Sequence, residues 1–124
     1  YPILVTQADQ EPAEVRNIVA ALDAGFDDYK DAAPGANAYG IDRQILNWVM
    51  PWSDGSVAYF KEKGLWTPEA QENQDKLVER QKVLADAWGG FVEGAPDGEE
   101  EFSAAWMKTR AEALEAAGQE VFFR

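Results

Sequence analysis

The sequence predicts a mainly α chain: about five helices and one short strand-like segment at the N-terminus. Three observations carry this. Apolar residues recur at steps of three and four over several long stretches. Proline and glycine stand where those stretches start and stop. Only the first six residues form a β-branched apolar run. The chain has 124 residues, 46% hydrophobic and 12% aromatic, enough for a packed core rather than a disordered coil.

Tyr1-Pro2-Ile3-Leu4-Val5-Thr6 reads as one extended segment that needs a partner strand from elsewhere. Asp9 is the expected N-cap of the first helix, with Glu11 and Pro12 in its first turn. Val15, Ile18, Val19, Leu22, Phe26 and Tyr29 follow at steps of 3, 1, 3, 4 and 3 and define one face. Glu14, Arg16, Asp23, Asp27 and Lys30 fall largely away from that face. The first helix is thus expected over residues 11–32, weakened locally by Gly25. Residues 33–40 read as a loop by their Pro, Gly and Asn.

Residues 41–49 are expected to form a short helix that Pro51 ends, since proline has no amide hydrogen to donate. Ser53 or Asp54 would cap a third helix over residues 56–63, closed by a left-handed Gly64. Thr67-Pro68-Glu69 predicts a strong helix start: a hydroxyl cap, a proline in the first turn and an acid near the positive end of the dipole. Leu77, Gln81, Leu84 and Trp88 continue that fourth helix to residue 88, where Gly89-Gly90 is expected to break it. Asp97 to Glu100 resembles a capping box for a fifth helix over residues 98–117, with Gly118 at its end. Val121-Phe122-Phe123 is an apolar tail that is costly to leave in water.

Composition excludes several functions. The net charge of −12 disfavours nucleic acid and anionic lipid, which need clustered Lys and Arg. With no Cys and no His, thiol chemistry, disulfides, zinc fingers and imidazole acid/base catalysis are absent. No run of about 18 apolar residues is present to span a membrane. Tyr1 in place of a Met implies a processed chain or a piece of a longer one.

Three features invite a chemical reading. Tyr59-x-x-x-Lys63 has the spacing by which a Lys lowers a Tyr pKa in short-chain dehydrogenases. No Gly-rich nucleotide loop precedes it, so a core Tyr beside a solvated Lys is the better account. Asp97, Glu99, Glu100 and Glu101 are carboxylates, but their spacing does not match a calcium loop, and acids in a first helical turn are expected from the dipole. Trp48, Trp52, Trp66 and Trp88 do not share one face, which points to an interface for some of them. No catalytic, cofactor-binding or metal-binding residue is assigned, and no cofactor is expected.

Pro51-Trp52-Ser53-Asp54-Gly55-Ser56-Val57-Ala58-Tyr59-Phe60-Lys61-Glu62-Lys63-Gly64-Leu65-Trp66 resembles a stretch near the C-terminus of the TAXI family of TRAP-transporter solute receptors. That stretch reads Pro, two variable or aromatic positions, Pro-Gly-Ala, an aliphatic, two aromatics and a Lys-Glu-Lys-Gly-like end. The upstream strand-like segment, the Thr6-to-Asp9 turn and the helix with Val15, Val19 and Leu22 resemble the family's preceding segment. The family commonly shows His-Pro before the glycine; Ser53-Asp54 stand there, and both are good caps.

The resemblance covers residues 1–66 and implies the C-terminal part of a two-lobe α/β solute receptor, periplasmic or otherwise extracytoplasmic. Residues 67–124 would be a helical C-terminal extension. It further implies three partners: the rest of the receptor, a small anionic solute bound by the whole receptor, and the TRAP membrane permease. It implies no catalysis. The family's cleft residues lie outside this stretch, so no ligand residue is carried over. An apolar face separated from its lobes is expected to repack or self-associate. The alternative is a free-standing acidic helical module that binds another protein through its aromatic tail and spare Trp residues.

Overall fold

The computed structural model describes residues 3–123 of the chain. The described residues contain five α-helices and no strand. They divide into two compact units, the first running to Gln74 and the second starting at Asp75. None of the helices is long and apolar enough to cross a membrane.

In the first unit, Ile3 to Thr6 have no regular secondary structure, and Ile3, Leu4 and Val5 are exposed. The first two residues of the expected strand-like run lie outside the described residues. Helix α1 spans Pro12–Ala24 with Pro12 in its first turn. Its N-cap is Glu11, not Asp9, and no side chain caps it. The single helix expected over residues 11–32 is interrupted at Gly25, after which α2 covers only Phe26–Tyr29. The break lets the Phe26 ring lie on the backbone of Gly40, where a Cβ would stand 2.9 Å from it. Tyr29 sits edge-on to Phe26 and Tyr39, and its hydroxyl donates to the Leu22 carbonyl at 3.0 Å.

Residues 41–49 do not form the expected α-helix. Two 3₁₀ turns, Ala36–Tyr39 and Ile41–Arg43, are followed by irregular chain up to Ser53. Side-chain bonds to the backbone hold this stretch and the residues on either side of it instead. The Gln44 amide donates to the carbonyls of Ala38 and Gly40. Asn73 donates to the Trp48 carbonyl, and Gln74 holds both backbone groups of Trp52. These bonds outweigh a weak local propensity.

Helix α3 spans Asp54–Glu62 and starts two residues earlier than expected, because Ser53 takes the cap. The Ser53 hydroxyl accepts from the Ser56 amide at 3.3 Å. At the other end Gly64 adopts φ +70°, and the amides of Gly64 and Leu65 reach back to the carbonyls of Lys61 and Phe60. This pair of bonds is a Schellman closure. Phe60, 2% exposed, lies between Trp52 and Trp66, at centroid distances of 5.0 and 6.3 Å. Two of the tryptophans with no face of their own are therefore part of the unit's core.

Helix α4 spans Pro68–Val92 and begins as expected: the Thr67 hydroxyl accepts from the Ala70 amide at 3.1 Å. Contrary to expectation, it runs through Gly89-Gly90. Each glycine costs about 1 kcal/mol relative to alanine. The rings on either side, Trp88 and Phe91, both pack on Phe102 and Trp106, and this contact holds the helix across the pair.

The second unit consists of the later part of α4, a turn and α5, Glu99–Ala116. Its N-cap is Gly98, one residue later than the Asp97 expected. The Glu101 carboxylate folds back over Gly98. Leu114 is fully buried, Ala111 nearly so. Gly118, at φ +67°, ends α5 with a second Schellman closure onto Glu115 and Leu114. Arg80 and Arg110 hold the apolar tail by its backbone, donating to the carbonyls of Glu120 and Phe123.

Candidate functional site

The densest group of charged and polar side chains lies between α1 and α3, and close backbone approach makes it possible. A Cβ on Gly55 would meet the Pro12 carbonyl oxygen at 2.4 Å and the Arg16 amide nitrogen at 2.7 Å, so only glycine admits this spacing. Val15 and Val57, both buried, fill the contact. Further along the seam the side chains become polar. The Tyr59 hydroxyl donates to Asp23 Oδ2 at 2.6 Å, and Lys63 Nζ pairs with the same oxygen at 3.0 Å. Arg16 forms a fork on Glu62, Nε to Oε1 at 3.1 Å and a terminal nitrogen to Oε2 at 2.5 Å. Its guanidinium also sits 5.4 Å from the centre of the Tyr59 ring, and Lys63 Nζ 5.8 Å from it.

Sequence reasoning singled out Tyr59 and Lys63 but not the residue that joins them. Asp23 was expected away from the apolar face, as was Arg16. In the fold the Asp23 side chain is only 18% exposed and both residues face α3. The missed signal is the opposite charge one helix away: an Arg and an Asp at i and i+7 on α1, facing Glu62 and Lys63 on α3.

The electrostatics run against acid/base chemistry at Tyr59. Its pKa is raised, first because its hydroxyl donates to Asp23 and then by burial; Lys63 and Arg16 oppose this only in part. The Asp23 carboxyl is held below its usual range, first by the Tyr59 hydroxyl and also by Lys63, against the effect of burial. Lys63 is raised by Asp23, and Glu62 is lowered by Arg16. A dehydrogenase-type tyrosine needs its pKa lowered by the lysine. Here the Asp23 carboxylate accepts from both, and its effect on the phenol outweighs the lysine's. The arrangement is an interhelical clasp.

A second group of polar contacts fixes the chain that leads into α3. Gln74, 7% exposed, accepts from the Trp52 amide at 2.8 Å and donates to the Trp52 carbonyl at 2.7 Å. The Trp52 indole donates to the Leu46 carbonyl at 3.2 Å. Gln74 thereby pairs with Trp52 as a neighbouring strand would. The sequence gives no sign of this, since a glutamine on a helix is ordinarily a solvated residue.

The remaining candidates separate. Asp97, Glu99, Glu100 and Glu101 are all exposed around the start of α5. Among the described residues no group of Asp and Glu is placed to hold a metal ion. Trp88 belongs to a four-ring cluster with Phe91, Phe102 and Trp106. No protein-family model, no curated protein and no solved structure matches this chain.

Proposed function

We propose that the chain is the C-terminal helical part of the solute-binding subunit of a tripartite ATP-independent periplasmic transporter of the TAXI type. One observation carries this reading. The residues that bear the resemblance, 51–66, are the ones that join α1 to α3: Gly55 at the backbone contact, Tyr59 and Lys63 on Asp23, Glu62 on Arg16. A motif spent on helix pairing suits a brace.

In this role the clasped helices support the receptor's lobes, and the lobes close on a small anionic solute and present it to the membrane permease. The exposed Ile3-Leu4-Val5 would add a strand to the edge of a sheet in the rest of the receptor. The piece performs no reaction of its own, and it works outside the cytoplasm. The protein encoded by the whole reading frame, titrated calorimetrically with a panel of dicarboxylates and amino acids, is expected to bind one of them saturably at one site. Failure to bind any of them, by a folded protein, overturns the reading. That outcome favours the free-standing interaction module, to which the exposed Phe122 and Phe123 are suited.

A further inference from the structure

Asp-Gly occurs twice in the sequence, at residues 54–55 and 97–98. This dipeptide can rearrange without a catalyst. The glycine amide nitrogen gives up its proton to solvent and bonds to the aspartate Cγ, and one water leaves. Water then opens the cyclic imide at either carbonyl. Opening at Cγ restores aspartate. Opening at the main-chain carbonyl leaves isoaspartate, whose backbone runs on through Cβ and Cγ. One water is lost and one regained, so nothing else is consumed. Glycine favours the step because no Cβ shields its nitrogen. The ring closes only if the peptide after the aspartate turns to bring that nitrogen onto Cγ, so a held backbone blocks it.

The fold treats the two sites in opposite ways. Asp54 opens α3, and the Ser53 carbonyl accepts from the Val57 amide at 3.0 Å across its first turn. Gly55 is buried, and a Cβ there would stand 2.4 Å from the Pro12 carbonyl oxygen and 2.7 Å from the Arg16 nitrogen of α1. Turning the 54–55 peptide would open that first turn and move Gly55 out of the seam. Asp97 and Gly98, by contrast, are both exposed and precede α5. Gly98 is extended, with φ −78° and ψ 135°, and the three atoms nearest to where its Cβ would be all belong to one flexible side chain, Glu101. The Gly98 carbonyl accepts from the Phe102 amide at 2.7 Å, a bond that holds the glycine beyond the peptide that must turn. We propose that Asp97-Gly98 is a site of spontaneous isomerisation to isoaspartate, that the change loosens the start of α5, and that α3 shields Asp54-Gly55 from it. The added backbone atom lies next to Gly98 and displaces the carbonyl that Phe102 uses. The proposal does not rest on the receptor reading.

The test ages the full folded chain at neutral pH and physiological temperature in water enriched in ¹⁸O, because opening of the imide installs one oxygen from solvent. Digestion in ordinary water, followed by electron-transfer fragmentation, then locates the label and separates isoaspartate from aspartate. Residue 97 is expected to label at least about tenfold faster than residue 54, since the 54–55 peptide must await local opening of α3. In concentrated urea, where α3 is gone, the lead of residue 97 should disappear. Asp97→Glu, which would have to close a larger ring, should take up no label at that position. In the isoaspartate fraction of the aged chain, amide exchange at residues 99–102 should quicken about fivefold, the equivalent of the one hydrogen bond from Phe102. Equally aged Asp97→Glu should show no such change. Absence of label at residue 97, equal labelling of the two residues in the folded chain, a lead that persists in urea, or unchanged exchange in the isoaspartate fraction would each overturn the proposal.

Discussion

Replacing Gly55 by alanine tests the α1–α3 contact most severely. The new Cβ would stand 2.4 Å from the Pro12 carbonyl oxygen, 2.7 Å from the Arg16 nitrogen and 2.7 Å from Val15 Cβ. Two of these atoms are backbone and cannot rotate away. Carbon atoms settle about 3.5–4.0 Å apart, so α1 must retreat by roughly 1 Å. Such a gap forfeits about a quarter to a half of each dispersion contact it opens. Overpacking of this kind costs about 1–3 kcal/mol, while alanine's better helix propensity returns about 1 kcal/mol. The Asp23–Tyr59 and Arg16–Glu62 bonds span the same gap and stretch with it, adding about 0.5–1.5 kcal/mol for a hydrogen bond lost. The net destabilisation is about 2 kcal/mol. Amide exchange across residues 54–62, read by mass spectrometry, should then quicken about thirtyfold. Gly90→Ala is the matched control: its Cβ would meet nothing within 4 Å, and it should stabilise α4 by up to about 1 kcal/mol. If Gly55→Ala slows exchange or leaves it unchanged, the packing argument is wrong.

Two further outcomes are expected. Asp23 is favoured as a carboxylate by the fold, so its contribution is complete at neutral pH and is lost as pH falls below about 4. Tyr59 is favoured as a phenol, so its contribution is complete below about pH 10 and is lost above it. Thermal melts across pH should show both shoulders in the wild type, with the acid shoulder reduced in Asp23→Asn. Gln74→Ala leaves both backbone groups of Trp52 without a partner and should cost about 1–3 kcal/mol in urea unfolding. Gln74→Glu keeps the acceptor but sets a carboxylate against the Trp52 carbonyl, so it should not rescue the loss.

Local chemistry made the helix ends legible in sequence. Ser53, Thr67-Pro68, Gly64 and Gly118 act through bonds within a few residues of themselves, and each stands at or next to the boundary it implied. Long-range contacts account for the failures. Gly89-Gly90 stays helical because rings on α5 hold both sides of it. Residues 41–49 stay irregular because Asn73 and Gln74 hold the backbone at Trp48 and Trp52. The clasp was half visible: the Tyr59/Lys63 spacing could be read on one helix, but its meaning depends on Asp23, 36 positions before Tyr59 and on another helix. A one-dimensional pattern shows which residues share a helix face, and it does not show which faces meet.

Tyr59 closes the clasp through its hydroxyl on Asp23, and its ionisation tests this most directly. Tyrosine labelled with ¹³C at Cζ, assigned by its loss in Tyr59→Phe, can be followed by NMR through alkaline pH. Titration of Tyr59 above pH 10, falling toward the ordinary value in Asp23→Asn, is the predicted result. Titration below pH 10 in the wild type would mean that Lys63, not Asp23, governs the phenol, and would return Tyr59 to the acid/base role denied to it here.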